Sequence, residues 1–165
     1  MNTLQTENEN FASCTKKIQE NALQEIEVTY RNIVKASKRA KIITSKDAEM
    51  VLRSIWTDNI NFCESFYLIC LNRSNRVLGY IKLSQGGLTG TVVDVRHIFA
   101  IALKANSCSI IVGHNHPSEN LKPSEQDIQL TKKIKEVGKL LEIPLLDHII
   151  LTNESHFSFA DEGIL

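Results

Sequence analysis

A chain of 165 residues is long enough to bury a sizeable core, and 42% hydrophobic with 23% charged residues is the balance of a soluble globule. Lys+Arg and Asp+Glu stand at 19 each, so no global electrostatic pull toward nucleic acid or an anionic membrane follows. With no signal-like N-terminus, no run of transmembrane length and no C-x-x-C pair among Cys14, Cys63, Cys70 and Cys108, the sequence predicts a cytoplasmic protein with reduced thiols and no membrane partner.

Residues 1–22 are polar, with Asn8-Glu9-Asn10 and few apolar anchors, and predict a flexible N-terminal tail ahead of one domain over 23–165. Ile26, Val28 and Tyr30 alternate with polar residues, a strand pattern. Arg31, Lys35, Lys38, Arg39 and Lys41 form a basic stretch. Such a stretch could make a weak nucleic-acid contact, but the expectation is a solvated helix face. Thr44 or Ser45 can cap a helix in which Ala48, Val51, Leu52, Ile55 and Trp56 repeat at helical spacing.

Glu64 opens a stretch in which Phe66 to Leu71 reads as a buried strand. Residues 72–76 read as a turn and Val77 to Leu83 as the returning strand, which makes a β-hairpin. Ser84 to Thr91 is Gly-rich but lacks the Gly-Lys-Ser/Thr end of a phosphate loop, so it reads as a flexible connection. Asp94 is placed to cap a helix that buries Val95, Ile98, Phe99 and Ala102, with Arg96 and His97 in structural roles.

Ser109 to Val112 is the next strand, and it delivers the most informative stretch of the chain. His114-Asn115-His116-Pro117 is followed, seven residues after His116, by Ser124-x-x-Asp127. Residues i and i+2 of a strand share a face, so His114 and His116 can point the same way. Asp127, Leu130, Ile134, Val137 and Leu141 fall on one face of a helix capped by Ser124, with Asp127 at its head. Side chains lean toward a helix N-terminus, which aims Asp127 back at the histidines. Two imidazoles and one carboxylate suit Zn²⁺, and three ligands leave a fourth position for water, the layout of a catalytic site.

Pro144 ends that helical pattern, and Leu145 to Leu151 reads as a strand covered on both faces, interrupted by Asp147 and His148. His148 could be a fourth ligand or a partner of one, and a hydrogen-bonded core histidine is the expectation. Residues 152–165 read as a short hairpin containing Phe157 and Phe159. Together these elements predict an α/β fold: one domain, a mixed β-sheet flanked by helices.

The residues His114-x-His116-Pro117 and Ser124-x-x-Asp127, at this spacing, resemble the signature of the JAB/MPN (JAMM) metalloproteases. His-Asn-His-Pro-Ser, with Leu146-Asp147-His148-Ile149 downstream, is most similar to the RadC branch, over roughly residues 25–160. The resemblance implies the JAB/MPN architecture, related to the cytidine-deaminase-like fold. Deaminase chemistry itself is excluded, because its Cys-x-x-Cys and His-x-Glu are absent. RadC relatives usually carry a helix-hairpin-helix module before the zinc domain, and none is expected within these 165 residues.

What the resemblance implies for function is a zinc-dependent hydrolase of the metallopeptidase type. His114, His116 and Asp127 would hold Zn²⁺, and the family's proton acceptor, supplied from an early strand, matches Glu64 by position. Ser124 would donate to the oxyanion of the tetrahedral intermediate, in competition with its helix-cap role. The substrate would be a protein or peptide cut at a peptide, isopeptide or related amide bond. The alternative is a RadC-like DNA-repair or mobile-element accessory protein that acts by binding rather than cleavage.

Overall fold

A computed structural model describes residues 34–57, 59–86 and 93–165. The predicted tail, the strand around Ile26 to Tyr30, Arg31 and most of the Gly-rich stretch lie outside them. Among the described residues, three α-helices and five strands run in the order α1 (Ser45–Ile55), β1 (Ser65–Leu71), β2 (Val77–Gln85), α2 (Val95–Lys104), β3 (Ser109–Asn115), α3 (Glu125–Leu140), β4 (Leu145–Leu151) and β5 (His156–Ser158). The strands form one mixed sheet of order β2-β1-β3-β4-β5, in which only β3 and β4 are parallel. The fold is α/β, as the sequence pattern predicts.

The sheet is covered on both faces, and strand alternation assigns each residue to one of them. Phe66, Leu68 and Cys70 of β1 and Ile110 and Val112 of β3 join Ile98, Phe99, Ala102 and Ile134 of α2 and α3 in one core cluster. Tyr67, Ile69, Leu71 and Ile111 pack with Ala48 and Leu52 of α1 in a second. His114 has the parity of Ile110 and Val112, so it emerges on the α3 side of the sheet. Gly113 faces α1, where a Cβ would stand 2.5 Å from a Leu52 methyl; glycine lets that helix lie close.

Local chemistry sets the helix ends. Thr44, rather than Ser45, caps α1 in a capping box with Asp47, and Asp94 caps α2 by accepting from the Arg96 N–H. Both α2 and α3 finish in Schellman turns: Ser107 N–H donates to Ala102 and Ile143 N–H to Gly138, with Asn106 and Glu142 at positive φ.

Two expectations need correction. The basic stretch is not a helix face. Only Ala36–Lys38 makes a single 3-10 turn. Ile42 N–H then donates to Asn75 and Val77 N–H to Ala40, so the hairpin claims this backbone in extended form. Along α3 Ile134 is buried and Leu130 and Val137 pack partly buried against the same cluster, as expected, but Leu141 is exposed and Thr131 and Gly138 join the buried face. The Ile143 carbonyl lies 2.6 Å from where a Gly138 Cβ would sit, so glycine lets the chain after the helix fold back closely there.

Cys63 and Cys70 are buried and Cys108 is exposed, all as free thiols. Among the described residues no helix is long and apolar enough to cross a membrane.

Candidate metal centre

β3 runs on past Val112 to Asn115, so His114 lies within the strand and His116 just beyond its end. The His116 N–H donates to Leu151 at 2.9 Å, which extends the sheet by one residue and holds both histidines on one face. The loop after Pro117 turns at Glu119, whose φ is 59°, and returns to the cap of α3. Ser124 and Asp127 form a capping box: the Asp127 N–H donates to Ser124 Oγ at 3.1 Å, and the Ser124 N–H and O–H donate to Asp127 Oδ2 at 2.7 and 2.6 Å. With Oδ2 fixed this way, Oδ1 turns toward the histidines.

The three predicted ligands meet. His114 Nε2 lies 3.0 Å from His116 Nε2 and 3.2 Å from Asp127 Oδ1, and His116 Nε2 lies 3.5 Å from Asp127 Oδ2. His114 is buried, while His116 and Asp127 are 14% and 13% exposed, so the cluster opens to solvent on one side only. Among the described residues these three form a group that could hold a metal ion. The donor chemistry fits one. His116 Nδ1 is 2.6 Å from the Asn120 carbonyl, which can only accept, so Nδ1 carries a proton and Nε2 is the nitrogen turned inward. Two imidazole Nε2 atoms and a carboxylate thus face one another across a gap that a cation would satisfy.

Without an ion, the cluster favours an ionised carboxylate. Burial alone would raise the Asp127 carboxyl, but His114 and His116 outweigh it and hold the group far below the usual carboxylate range. Burial likewise opposes the His116 charge, yet Asp127 and the Asn120 carbonyl bring its pKa above the ordinary value.

Glu64 stands immediately before β1, half-buried. The β1–β3 register pairs Phe66 with His114, so two residues earlier Glu64 comes level with His116. Burial pushes its carboxyl up, opposed by the nearby His114 and His116 and assisted by Asp127; the glutamate feels all three predicted ligands. Asn115 points to the other face and is fully buried. Its Oδ1 accepts from the Ser65 N–H, and its Nδ2 donates to the Ile60 and Cys63 carbonyls. Glu119 accepts from the Asn153 N–H and Glu125 from Gln129, which leaves both outside the cluster.

His148 is buried behind His114, with its Nε2 2.8 Å from His114 Nδ1. Its Nδ1 lies 2.6 Å from Thr131 Oγ1. Thr131 belongs to no motif; its one signal in the sequence is a polar residue on the helix face four positions after Asp127.

The RadC-like JAB domain matches residues 42–164. The chain belongs to that family. It is 44% identical over 127 residues to a UPF0758 protein of Flavobacterium johnsoniae, covering 77% of this chain and 55% of the relative. It is 39% identical over 129 residues to a UPF0758 protein of Porphyromonas gingivalis, covering 78% and 56%. A Clostridium tetani UPF0758 protein is 38% identical over 146 residues, covering 87% and 62%. The chain therefore spans little more than half the length of these relatives. In this RadC-like JAB domain the match takes in His114, His116, Asp127, Glu64 and the strand carrying His148.

Proposed function

We propose that the domain is a zinc-dependent hydrolase of the JAMM metallopeptidase type, cleaving a peptide, isopeptide or related amide bond. One observation carries the reading: His114 Nε2, His116 Nε2 and Asp127 Oδ1 converge at the mouth of the sheet, within the electrostatic reach of Glu64. His114, His116 and Asp127 would hold Zn²⁺. When bound, such an ion supplies Lewis acidity and brings the pKa of water toward neutrality. Glu64 takes the proton from the attacking water and returns it to the leaving amine; burial has moved its carboxyl toward the pH range where that exchange is efficient. Ser124 is exposed at the mouth. Its O–H can reach a developing oxyanion only by giving up the bond to Asp127 Oδ2.

Metal analysis of protein purified without added zinc is expected to give near one Zn per chain, falling sharply in His116→Ala and Asp127→Ala. Zinc content unchanged in both variants ends the ligand assignment. Glu64→Gln is expected to keep its zinc and lose hydrolysis of amide substrates.

A second reading, an accessory protein that binds a partner without cleaving it, draws on Lys35, Lys38 and Lys41, all exposed near one end of the described chain. DNA binding that weakens steeply with salt supports this reading, and salt-independent or absent binding removes it.

A further inference from the structure

A chain of polar atoms leaves the cluster and runs into the core. His114 Nδ1 is 2.8 Å from His148 Nε2, His148 Nδ1 is 2.6 Å from Thr131 Oγ1, and Thr131 Oγ1 is 2.6 Å from the Asp127 carbonyl oxygen. The protons on this chain can be placed by elimination. A carbonyl has none to give, so the Thr131 O–H donates to Asp127. Thr131 Oγ1 then accepts from His148, which puts the His148 proton on Nδ1.

His148 is fully buried and lies between two rings, stacked on Phe159 at 4.7 Å and edge-on to Phe66 at 5.6 Å. The hydrogen bonds of its two ring nitrogens go to a hydroxyl and an imidazole, and a fully buried ring held in this way stays neutral, so its Nε2 is a lone pair. His114 must then donate from Nδ1. The His114 lone pair is left on Nε2, the atom that faces His116 and Asp127.

We propose that Thr131 and His148 are positioning residues for the metal centre, fixing His114 in the tautomer that presents its Nε2 lone pair to the ion. The relay closes on itself: Asp127 supplies a ligand oxygen from its side chain and the terminal acceptor from its backbone. Its placement and the His114 tautomer are therefore set together. His148 is not a fourth ligand, because its Nε2 is engaged on the far side of His114. The inference rests on the metal-centre reading above.

Long-range proton–nitrogen correlation spectra of the metal-free wild-type protein test the relay directly. Both His114 and His148 are expected to be protonated on Nδ1. Zn²⁺ affinity, read by competition with a chromophoric chelator, is expected to fall about 10–100-fold in Thr131→Val and to return close to wild type in Thr131→Ser. A His148 protonated on Nε2 in the wild type overturns the inference, as does unchanged zinc affinity in Thr131→Val. If Thr131→Val does not fold, the wild-type spectrum decides alone. Wild-type protein that binds no Zn²⁺ overturns the metal-centre reading, and the inference falls with it; that failure is read from the wild type before any variant is made.

Discussion

Asn115 and Ser65 are joined by a 2.7 Å hydrogen bond, from the Ser65 N–H to the Asn115 side-chain oxygen, between the strand that carries the histidines and the strand that follows Glu64. The Asn115 amide also donates to Ile60 at 2.6 Å and Cys63 at 2.9 Å, so a single side chain ties the segment bearing Glu64 to the histidine strand. Asn115→Ala strands one buried donor and two carbonyls. It is expected to destabilise the domain by about 2–4 kcal/mol in urea denaturation while leaving zinc content unchanged. A change under about 0.5 kcal/mol would mean that water replaces all three bonds.

The fold holds the three ligand atoms together, and unfolding separates them. A bound ion should therefore raise stability by mass action, about 4 kcal/mol when free zinc exceeds its dissociation constant 1,000-fold. Thermal unfolding with and without a chelator measures this. Chelation is expected to lower the wild-type Tm and to leave that of His116→Ala where it was. Equal chelator shifts in both proteins would place the stabilising ion somewhere else.

The parts of the site that were legible in the sequence are those set by local geometry. Alternation along a strand puts His114 and His116 together, and a capping box puts Asp127 at the third position of a helix facing them; both depend on residues within a few positions of each other. The hairpin and the helix over residues 95–104 were legible for the same reason. His148 was legible as a hydrogen-bonded core histidine or a ligand's partner, but its link to His114 and the part of Thr131 were not, because they need the parallel pairing of Val112 with His148 and the docking of α3 across it. That pairing also breaks register between Ile110 and Ile111, so Leu145 packs on the α2–α3 side while Ile149 and Leu151 pack against α1. No local pattern announces such a break. Asn115 gave away its direction through strand parity, but not the three partners that its amide finds.

Gly113 lies where α1 comes nearest the histidine strand. An alanine there would bring its Cβ to 2.5 Å from one Leu52 methyl and 3.0 Å from the other, and Leu52 is fully buried with little room to turn. Gly113→Ala is expected to destabilise by about 1–3 kcal/mol. In a Leu52→Ala background the same change should have little or no effect, because the space it needs has been opened. Additive effects in the double-mutant cycle would show that backbone conformation, rather than the Leu52 contact, demands glycine.

Glu49 carries a pH dependence that can be read separately from the metal cluster. Burial raises its carboxyl, but hydrogen bonds from Lys46 and Arg53, with His156 3.1 Å away, outweigh it and leave the pKa below the ordinary value. A depressed folded-state pKa contributes stability that is present above the unfolded value, about 4.3, and is lost as the pH falls through the folded one. The stability difference between wild type and Glu49→Gln should therefore shrink as the pH drops below about 4. A difference that grows on acidification would reverse the sign and refute the pairing.

Ser124 has two candidate tasks, and they make different demands on the metal. As the cap of α3 it holds Asp127 Oδ2 through both its N–H and its O–H, which leaves Oδ1 free to face His114. Ser124→Ala keeps the backbone bond, removes the O–H bond and uncaps the helix. It is expected to lower stability by about 1 kcal/mol and to weaken Zn²⁺ binding by about tenfold or more, because the carboxylate loses the contact that orients it. Ser124→Thr retains a hydroxyl and should stay near wild type in both. If the hydroxyl instead serves chiefly as a donor to an oxyanion, Ser124→Ala will bind zinc as tightly as the wild type and fail only in turnover. Chelator competition on the two variants separates these outcomes without a known substrate.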